Sequence, residues 1–295
     1  MRHRPVLPFA VAALGIAIFC CMDALMKGLG LAIGAYSALL WRSACGVVVT
    51  GALWATARTG WPSARLMRLH VGRGLIVSAM ALLWFHAITL VPLAEAVAIS
   101  FFAPLLATWL AGLFLGEPVN AKAVAGSCLG LAGVAVIVAG RLGAPHGPRI
   151  VEGIAAVIAS AILYAINLVL QRHQAQQAGP REIAFFQTLT VLACLLPAAP
   201  FVLVAPTAAQ WPLIAGAALF ASVSLLLLSW AYARAEAQLL VVTEYTGFLW
   251  LSALGWWFFG EAVTLATLTG AVLIVAGCLM AVRPGRIAEP QEAML

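Results

Sequence analysis

The amino-acid sequence predicts an all-α membrane protein in which ten transmembrane helices form two inverted five-helix repeats. Three observations predict this fold class: a composition too apolar for a soluble domain, a series of apolar runs of bilayer length, and residue pairs that recur at one fixed offset. Of the 295 residues, 64% are hydrophobic and 9% are charged, whereas an ordinary soluble domain is about 25% charged. The mean hydropathy of +1.06 therefore indicates a polytopic membrane protein.

Each predicted span is an apolar run of about 20 residues, the length that a bilayer-crossing helix needs. Most of the spans contain a long charge-free stretch, such as Val6 to Met22 in the first, whereas the second contains Arg42 and the ninth contains Glu244. The long apolar stretch from Ile183 to Ala233 breaks in its proline-containing middle and gives two spans. The predicted spans lie near residues 6–27, 34–56, 72–91, 95–115, 121–140, 151–171, 182–204, 210–232, 237–259 and 263–282.

The positively charged residues predict the orientation of these spans. With both termini in the cytoplasm, twelve of the sixteen lysines and arginines fall in inner segments, three fall in outer segments, and Arg42 lies within a span. The three outer cations are Lys27, Arg141 and Arg149. This bias predicts a multi-pass protein of the cell (inner) membrane with cytoplasmic termini, cytoplasmic loops at 58–71 and 172–181, and an external loop at 141–150. Because topology explains the net charge of +6, no nucleic-acid partner is expected.

Glycine and glutamate residues recur at an offset of 144 residues. The recurring pairs are Gly116 and Gly260, Glu117 and Glu261, Gly126 and Gly270, and Gly133 and Gly277. Each copy holds five spans, and this odd number makes the second copy enter the membrane from the opposite face, as in many secondary transporters. The predicted repeats are 1–143 and 144–286, followed by a tail at 287–295.

Four segments in chain order resemble those of a known transporter family. They are "MDALMKGL" at 22–29, "LLWRSACG" at 39–46, "FFAPLLATWLAGLFLGE" at 101–117 and "EYTGFLWLSALGWWFFGE" at 244–261. With the five-plus-five repeat they make nearly the whole chain similar to the EamA-type family of the drug/metabolite transporter superfamily. The family's proline in the fourth helix is present as Pro104, but its counterpart in the ninth is Phe248. The resemblance implies transport of amino acids, vitamins, nucleosides or related metabolites without specifying the substrate.

Asp23, Lys27 and Arg42 are charged residues inside predicted helices. Asp23 and Lys27 are one turn apart on one face, and Arg42 enters the second helix at a similar depth. One interpretation is a mutual salt bridge that holds two helices together. The other is a charged wall of a substrate cavity or a proton site. The equivalent residues of the second repeat are Asn167, Gln171 and Phe186, so the fold itself does not require these charges, which favours a functional role.

Glu244 lies about two turns into the ninth span, with no cation evident at its depth. Desolvation there favours the neutral carboxyl form, which suits a proton-coupling site. A hydrogen bond to a neighbouring helix is the alternative. Asp23 is the weaker candidate for coupling, because Lys27 and Arg42 are expected to keep it ionised.

A larger set of polar and aromatic residues is predicted to line the substrate cavity. His86 and Trp230 occupy equivalent positions, although a lone intramembrane histidine is more often a packing residue. The aromatic residues have the alternative of facing lipid, and Glu117 and Glu261 resemble structural helix caps. The predicted cavity residues are Asp23, Arg42, Trp84, His86, Ser100, Trp109, Tyr164, Asn167, Trp230 and Tyr245.

Small residues at close spacing occur in "GSCLG" at 126–130 and "GAVLIVAG" at 270–277. Such glycines permit close helix contact, either within the bundle or between the protomers of a homodimer, and the pattern does not distinguish these.

Three classes of function are compatible with a membrane protein of this size. The sequence contains no P-loop, which favours a gradient over ATP hydrolysis. It also contains no HExxH, acidic-pair or GxSxG motif, so a membrane-embedded enzyme is not expected, and a complete double repeat disfavours a non-transporting subunit. We therefore expect a secondary transporter that exports an amino-acid-like metabolite, with uptake of a vitamin or nucleoside-like compound as the alternative. The expected partners are a small-molecule substrate and the lipid bilayer, with no cofactor.

Overall fold

The computed structural model describes residues 6–56, 60–103, 105–106, 109–110, 121–142, 149–175, 177–232 and 243–281, and within them the only regular secondary structure is helical. A 3₁₀ turn at Leu196–Ala198 and a helical turn at Ala199–Val202 follow the helix Pro180–Leu195 directly. The helices are α1 (Val6–Ile33), α2 (Ala35–Thr56), α3 (Ala64–Leu90), α4 (Leu93–Ser100), α5 (Ala121–Leu142), α6 (Ile150–Ala175), α7 (Pro180–Leu195), α8 (Trp211–Tyr232), α9 (Thr246–Phe259) and α10 (Leu265–Ala281).

Seven helices of the described part are long and apolar enough to cross a membrane, and Leu265–Met280 is a shorter apolar helix. The seven are Leu7–Ile33, Ala35–Thr56, Ala64–Leu90, Val124–Leu142, Ile150–Leu168, Pro180–Val202 and Trp211–Leu228. The all-helical membrane class is thus confirmed. Predicted spans four and nine include positions 111–115 and 237–242, which lie outside the described residues, as do Pro104, Glu117, most of the 141–150 loop and the tail at 287–295.

Two glycines with positive φ set the turns at one end of the bundle. Gly34 has φ +81° and alone separates α1 from α2, and a residue without Cβ adopts this conformation most readily. Gly260 has φ +65° and caps α9, its N–H donating to the carbonyl of Trp256. We call this the Gly34 end, and we call the opposite end, where α1 begins, the Val6 end.

The helices of the two halves pair in a symmetric pattern. α1 packs on α8 and α3 packs on α6, while α2 packs on α7, α4 on α9 and α5 on α10. If each helix is replaced by the helix five places away in chain order, the pair of α1 with α8 becomes the pair of α6 with α3. The pairs α2 with α7, α4 with α9 and α5 with α10 each become themselves.

The contact between α5 and α10 shows this symmetry at the level of single atoms. A Cβ added to Gly133 would lie 2.6 Å from the Gly270 carbonyl oxygen, and one added to Gly277 would lie 2.4 Å from that of Gly126. Adding 144 to Gly126 and Gly133 gives Gly270 and Gly277, so the two contacts are equivalent. Gly126 meets Gly277 and the later Gly133 meets the earlier Gly270, so α5 and α10 are antiparallel. These glycines therefore serve close packing within one chain, which answers the question left open by their spacing.

The equivalent helices α4 and α9 also meet at equivalent residues. Phe101 and Tyr245 are 144 positions apart, and their rings are in edge-to-face contact with centroids 5.1 Å apart. This contact joins a residue of the first half to a residue of the second. The interior of the bundle is therefore built from both halves.

Candidate functional site

Asp23 lies in the interior of the bundle, where its side chain is held by α3 and faces α2. The residue is 2% exposed, and its Oδ1 accepts a hydrogen bond of 3.1 Å from the Trp84 indole Nε1. Arg42 on α2 interacts electrostatically with this carboxylate. Three of the predicted cavity residues thus come together, one from each of the first three helices.

Arg42 is half-buried and has an unusual environment for an arginine. Its guanidinium carbon lies 5.4 Å from the centroid of the Phe85 ring, within the range of a cation–π contact. Its Nε is buried and has no hydrogen-bond acceptor among the described residues, and no ion pair within 4.0 Å joins it to Asp23 there. A guanidinium with an unused buried donor is suited to bind an anionic group.

Lys27 does not pair with Asp23, so the predicted three-residue cluster is wrong in this part. The Lys27 ammonium instead forms an ion pair with Glu261 and donates to the Val91 carbonyl at 3.0 Å. The physical reason is that Lys27 lies one turn closer to the Gly34 end, where Gly260 turns the chain so that Glu261 faces α1.

Further buried charges extend this ion pair into a network. Glu261 was predicted to be a structural cap, and its Oε2 accepts from the Leu93 backbone N–H at 2.8 Å, so the helix that it caps is α4. Glu95 lies 3.3 Å from Arg141 and accepts from the Thr267 hydroxyl at 3.5 Å. We call Lys27, Glu95, Arg141, Glu261 and Thr267 the Lys27 network.

Asn167 is also not part of the Asp23 site, although it is buried. Its Oδ1 accepts from Arg73 Nε at 2.9 Å, while the two other guanidinium nitrogens donate to Gln174 at 2.5 Å and to Gln171 at 3.3 Å. Asn167 is 144 positions after Asp23, and Ala217 of α8 is 144 positions after Arg73. The Asp23 site therefore has no counterpart of the Arg73 guanidinium at that position.

The Arg73 contacts continue into a second network, toward the Val6 end. Gln174 Nε2 lies 2.6 Å from His70 Nδ1, and His70 Nε2 lies 3.0 Å from Glu182. The Phe186 ring stacks on His70 with centroids 5.0 Å apart. We call His70, Arg73, Asn167, Gln171, Gln174 and Glu182 the Arg73 network.

The Arg73 network was not predicted from the sequence, because a cation of a predicted inner segment such as Arg73 is explained by topology. A signal was nevertheless present. His70 and Arg73 are three residues apart, and such residues share one face of a helix. An arginine next to a long apolar run, on the same face as a histidine, predicts polar partners on a facing helix.

His86 and Trp230 lie near opposite ends of the bundle. His86 Nε2 lies 2.7 Å from Glu152, and the side chain contributes to a cavity of about 690 Å³ at the Gly34 end. Tyr36 and Ser37 line the same cavity beside apolar residues of α3. Trp230 packs near the contact between Ala12 and Ala231 toward the Val6 end.

Two other predicted cavity residues point elsewhere. Trp109 is 40% exposed, and its indole donates to the Ser127 hydroxyl of α5 at 2.6 Å. Ser100 donates to the Val97 carbonyl of its own helix at 2.8 Å. Neither of these hydrogen bonds involves Asp23.

Glu244 belongs to a separate group of polar residues. Its half-buried side chain interacts electrostatically with Tyr164 on α6, and Tyr164 packs beside Ala161 and Ala165. Tyr245 follows Glu244 and makes the ring contact with Phe101. Of the predicted residues, Arg42 and Trp84 thus interact with Asp23, and Tyr164 and Tyr245 lie beside Glu244. The other predicted residues have the separate partners given above. In the described part of the chain, no group of three or more His, Cys, Asp or Glu residues is arranged to hold a metal ion.

The profile of the EamA-like transporter family matches residues 7–139 and 151–283. The chain belongs to this family. It is a small-molecule transporter embedded in a membrane by several spans, and not an enzyme.

Named relatives transport different compounds in different directions. The chain is 27% identical over 272 residues to the pseudopaline exporter of Pseudomonas aeruginosa (strain UCBPP-PA14), covering 91% of this chain and 93% of that protein. It is 22% identical over 211 residues to the S-adenosylmethionine uptake transporter of Rickettsia bellii, a match that covers 72% of this chain and 71% of that protein. A 94-residue match, 33% identical, to the aromatic amino acid exporter of Ancylobacter novellus covers 32% and 33%.

A solved crystal structure has the same fold. It superimposes with a TM-score of 0.63 at 21% identity and covers 94% of this chain and 96% of the other.

Proposed function

We propose that this chain is a secondary transporter that exports an amino-acid-like metabolite across the cytoplasmic membrane by alternating access. The observation that supports this best is the pair formed by Asp23 and Arg42. A buried carboxylate and a guanidinium with an unused donor, next to the Trp84 indole, suit the ammonium and carboxylate groups of such a compound. Two relatives named as exporters, of pseudopaline and of aromatic amino acids, support the same direction and chemistry.

The proposed architecture has ten spans in two inverted repeats, 1–143 and 144–286, with both termini cytoplasmic. The symmetric helix pairing and the antiparallel glycine contact between α5 and α10 support the repeat, and twelve inner against three outer cations support the orientation. The Gly34 end then faces the outside. Impermeant labelling of a single cysteine introduced near position 146 tests this, and labelling only from the cytoplasmic side would contradict it.

A transport assay in proteoliposomes tests the substrate class. A panel of amino acids and amino-acid-derived metabolites, beside vitamins and nucleosides, is offered to the parent protein and to Asp23→Asn and Arg42→Lys. Asn removes the charge that binds the ammonium group, and Lys lacks the planar fork that binds a carboxylate. The exposed Arg181→Lys is the matched control for Arg42→Lys. Uptake of amino-acid-like compounds that is equal in all variants would refute the assignment of Asp23 and Arg42.

Import of a vitamin, nucleoside or related compound is the second candidate, and the similarity to an uptake transporter for S-adenosylmethionine favours it. Loaded right-side-out and inverted vesicles distinguish the two directions. Net movement under a physiological gradient from the cytoplasmic face outward supports export. Net movement inward supports the second candidate.

Glu244 is the proposed proton-coupling residue. It lies half-buried at the start of α9 beside Tyr164, where a carboxyl group that gains and loses a proton can respond to movement of α6 relative to α9. Glu244→Gln keeps the shape of the protonated form, so it should abolish accumulation driven by a pH gradient and leave substrate counterflow intact. Glu152→Gln, with the same chemical change at the bundle surface, is the control. Accumulation by Glu244→Gln with the parent's rate and pH dependence would exclude this role.

A further inference from the structure

The Lys27 network joins the two halves of the chain at the Gly34 end. Lys27 is on α1 and Arg141 is at the end of α5, both in the first half, whereas Glu261 lies between α9 and α10 in the second. Lys27 is 4% exposed and Glu95 is 2% exposed. The ion pair between Lys27 and Glu261 is therefore shielded from water and connects residues 234 positions apart.

Two backbone contacts tie the same ion pair to the junction between α3 and α4. Lys27 donates to the Val91 carbonyl, and Glu261 accepts from the Leu93 N–H. Three separate parts of the chain, the end of α1, the α3–α4 junction and the α9–α10 turn, are thus held by two side chains. Separating Lys27 from Glu261 would release all three together.

The position of the network relates it to the Asp23 site. Lys27 is one helical turn beyond Asp23 toward the Gly34 end, about 6 Å along the axis of α1. A substrate moving between Asp23 and the Gly34 end must pass the level at which Lys27 meets Glu261. In this structure, Asp23 is buried and the ion pair is formed.

We propose that the ion pair of Lys27 with Glu261, together with that of Glu95 with Arg141, is the gate that closes the Gly34 end of the transport path. The gate closes when the opposite charges meet and opens when they separate and become hydrated. Its two cations balance its two anions, so the closed state buries no net charge. This role rests on the proposed alternating access, but it does not depend on the identity of the substrate.

The repeat provides an internal comparison that favours a gate over a general structural role. The residue equivalent to Lys27 is Gln171, which accepts a hydrogen bond from Arg73 and forms no ion pair. The fold therefore accommodates an amide at this position. A charged pair in only one copy is a feature of the Gly34 end and not of the helix packing that both copies share.

Cys20 is a native reporter for the opening of this gate. It is 3% exposed, lies three residues before Asp23, and is separated from the Gly34 end by the level of Lys27. With the other five cysteines replaced by alanine, the rate at which an impermeant maleimide labels Cys20 measures access. Right-side-out and inverted vesicles are labelled separately, so that access from each end is measured whichever end faces outward.

Four variants test the gate without a known substrate. Glu261→Gln and Lys27→Met each remove one charge, and the double variant Lys27→Met/Glu261→Gln removes the pair without leaving a charge unpaired. Gly255→Ala moves the carboxylate without changing charge, because a Cβ there would lie 2.6 Å from Glu261 Oε2. Glu152→Gln, at the same end but outside the network, is the matched control.

We expect every gate variant to accelerate labelling of Cys20 at least about tenfold from one side of the membrane, and the control to label at the parent's rate. If the single variants do not fold, the double variant and Gly255→Ala decide the outcome. Labelling of the folded variants at the parent's rate from both sides would overturn the gate. The labelling test and the substrate assays are independent. Labelling at the parent's rate would not contradict the proposed substrate class, and transport of a different substrate class would not contradict the gate.

Discussion

The Lys27 network and the Arg73 network join the two halves of the chain with different chemistry. At the Gly34 end, Lys27 and Arg141 face Glu261 and Glu95, so opposite charges are paired. Toward the Val6 end, the Arg73 guanidinium is surrounded by neutral amide oxygens of α6. Each network has a buried centre, formed by Lys27 and Glu95 in one and by Arg73 and Asn167 in the other, while Gln171 is exposed.

The two kinds of contact differ in how readily they can separate and form again. Ion pairs lose a large part of their stabilisation when one partner is removed, but both charges are well solvated when they separate into water. A guanidinium bound by three amides instead has a fixed geometry that distributes the bonds over two turns of one helix. We therefore interpret the Lys27 network as switchable and the Arg73 network as a rigid brace.

Removing one charge of the Lys27 network should have the largest effect on stability. Lys27→Met leaves the Glu261 carboxylate buried without its cation, which should lower the free energy of unfolding by about 3–5 kcal/mol. Adding Glu261→Gln should restore most of that loss, because no buried charge then lacks a partner. Denaturant unfolding in detergent measures both. If the double variant is as unstable as Lys27→Met, an unpaired buried charge is not the cause of the loss. The contrast between a charged network and a neutral one would then be wrong.

The Arg73 network should respond to geometry more than to charge. Arg73→Lys keeps the charge but cannot reach three amide oxygens at once, so we expect a loss of about 2 kcal/mol in the free energy of unfolding. Arg181→Lys is the control and should change it little, because this exposed arginine donates to Thr56 at 3.3 Å and to no other side chain of the described residues. Equal stability of Arg73→Lys and the parent would remove the case for a brace.

Asp23→Asn should separate transport from stability. An asparagine still accepts the Trp84 hydrogen bond, as Asn167 accepts one at the equivalent position, so the free energy of unfolding should change by less than about 1 kcal/mol. Transport should fall at least about tenfold, because the charge opposite Arg42 is lost. Parallel measurements of unfolding and of transport rate check this. A variant that unfolds easily but transports normally when folded would make Asp23 a structural residue.

The reverse exchange, Asn167→Asp, should stabilise the protein slightly. The new carboxylate would accept a charge-assisted hydrogen bond from Arg73 Nε, raising the free energy of unfolding by about 1 kcal/mol. Thermal unfolding of this variant beside Asp23→Asn makes the comparison direct. A lower unfolding temperature for Asn167→Asp would mean that Arg73 needs neutral partners.

Several features of the fold follow from local properties of the sequence. The membrane class follows from apolar runs of bilayer length, since lipid offers the backbone no hydrogen-bond partners and makes such runs helical. The 144-residue offset relates Gly126 to Gly270 and Gly133 to Gly277, and these are the glycines that meet between α5 and α10. That Asp23 and Arg42 face each other also agrees with the prediction, because each depth follows from a residue's position in its helix.

The partners of the buried charges depend on the tertiary structure alone. Lys27 is four residues from Asp23 but pairs with Glu261, because contact depends on how α9 ends at Gly260 and where that turn meets α1. Arg73 meets α6 for a similar reason, since the helices that face each other come from different repeats. Spacing within a helix determines which side chains share a face, but the packing of distant helices determines which side chain that face meets.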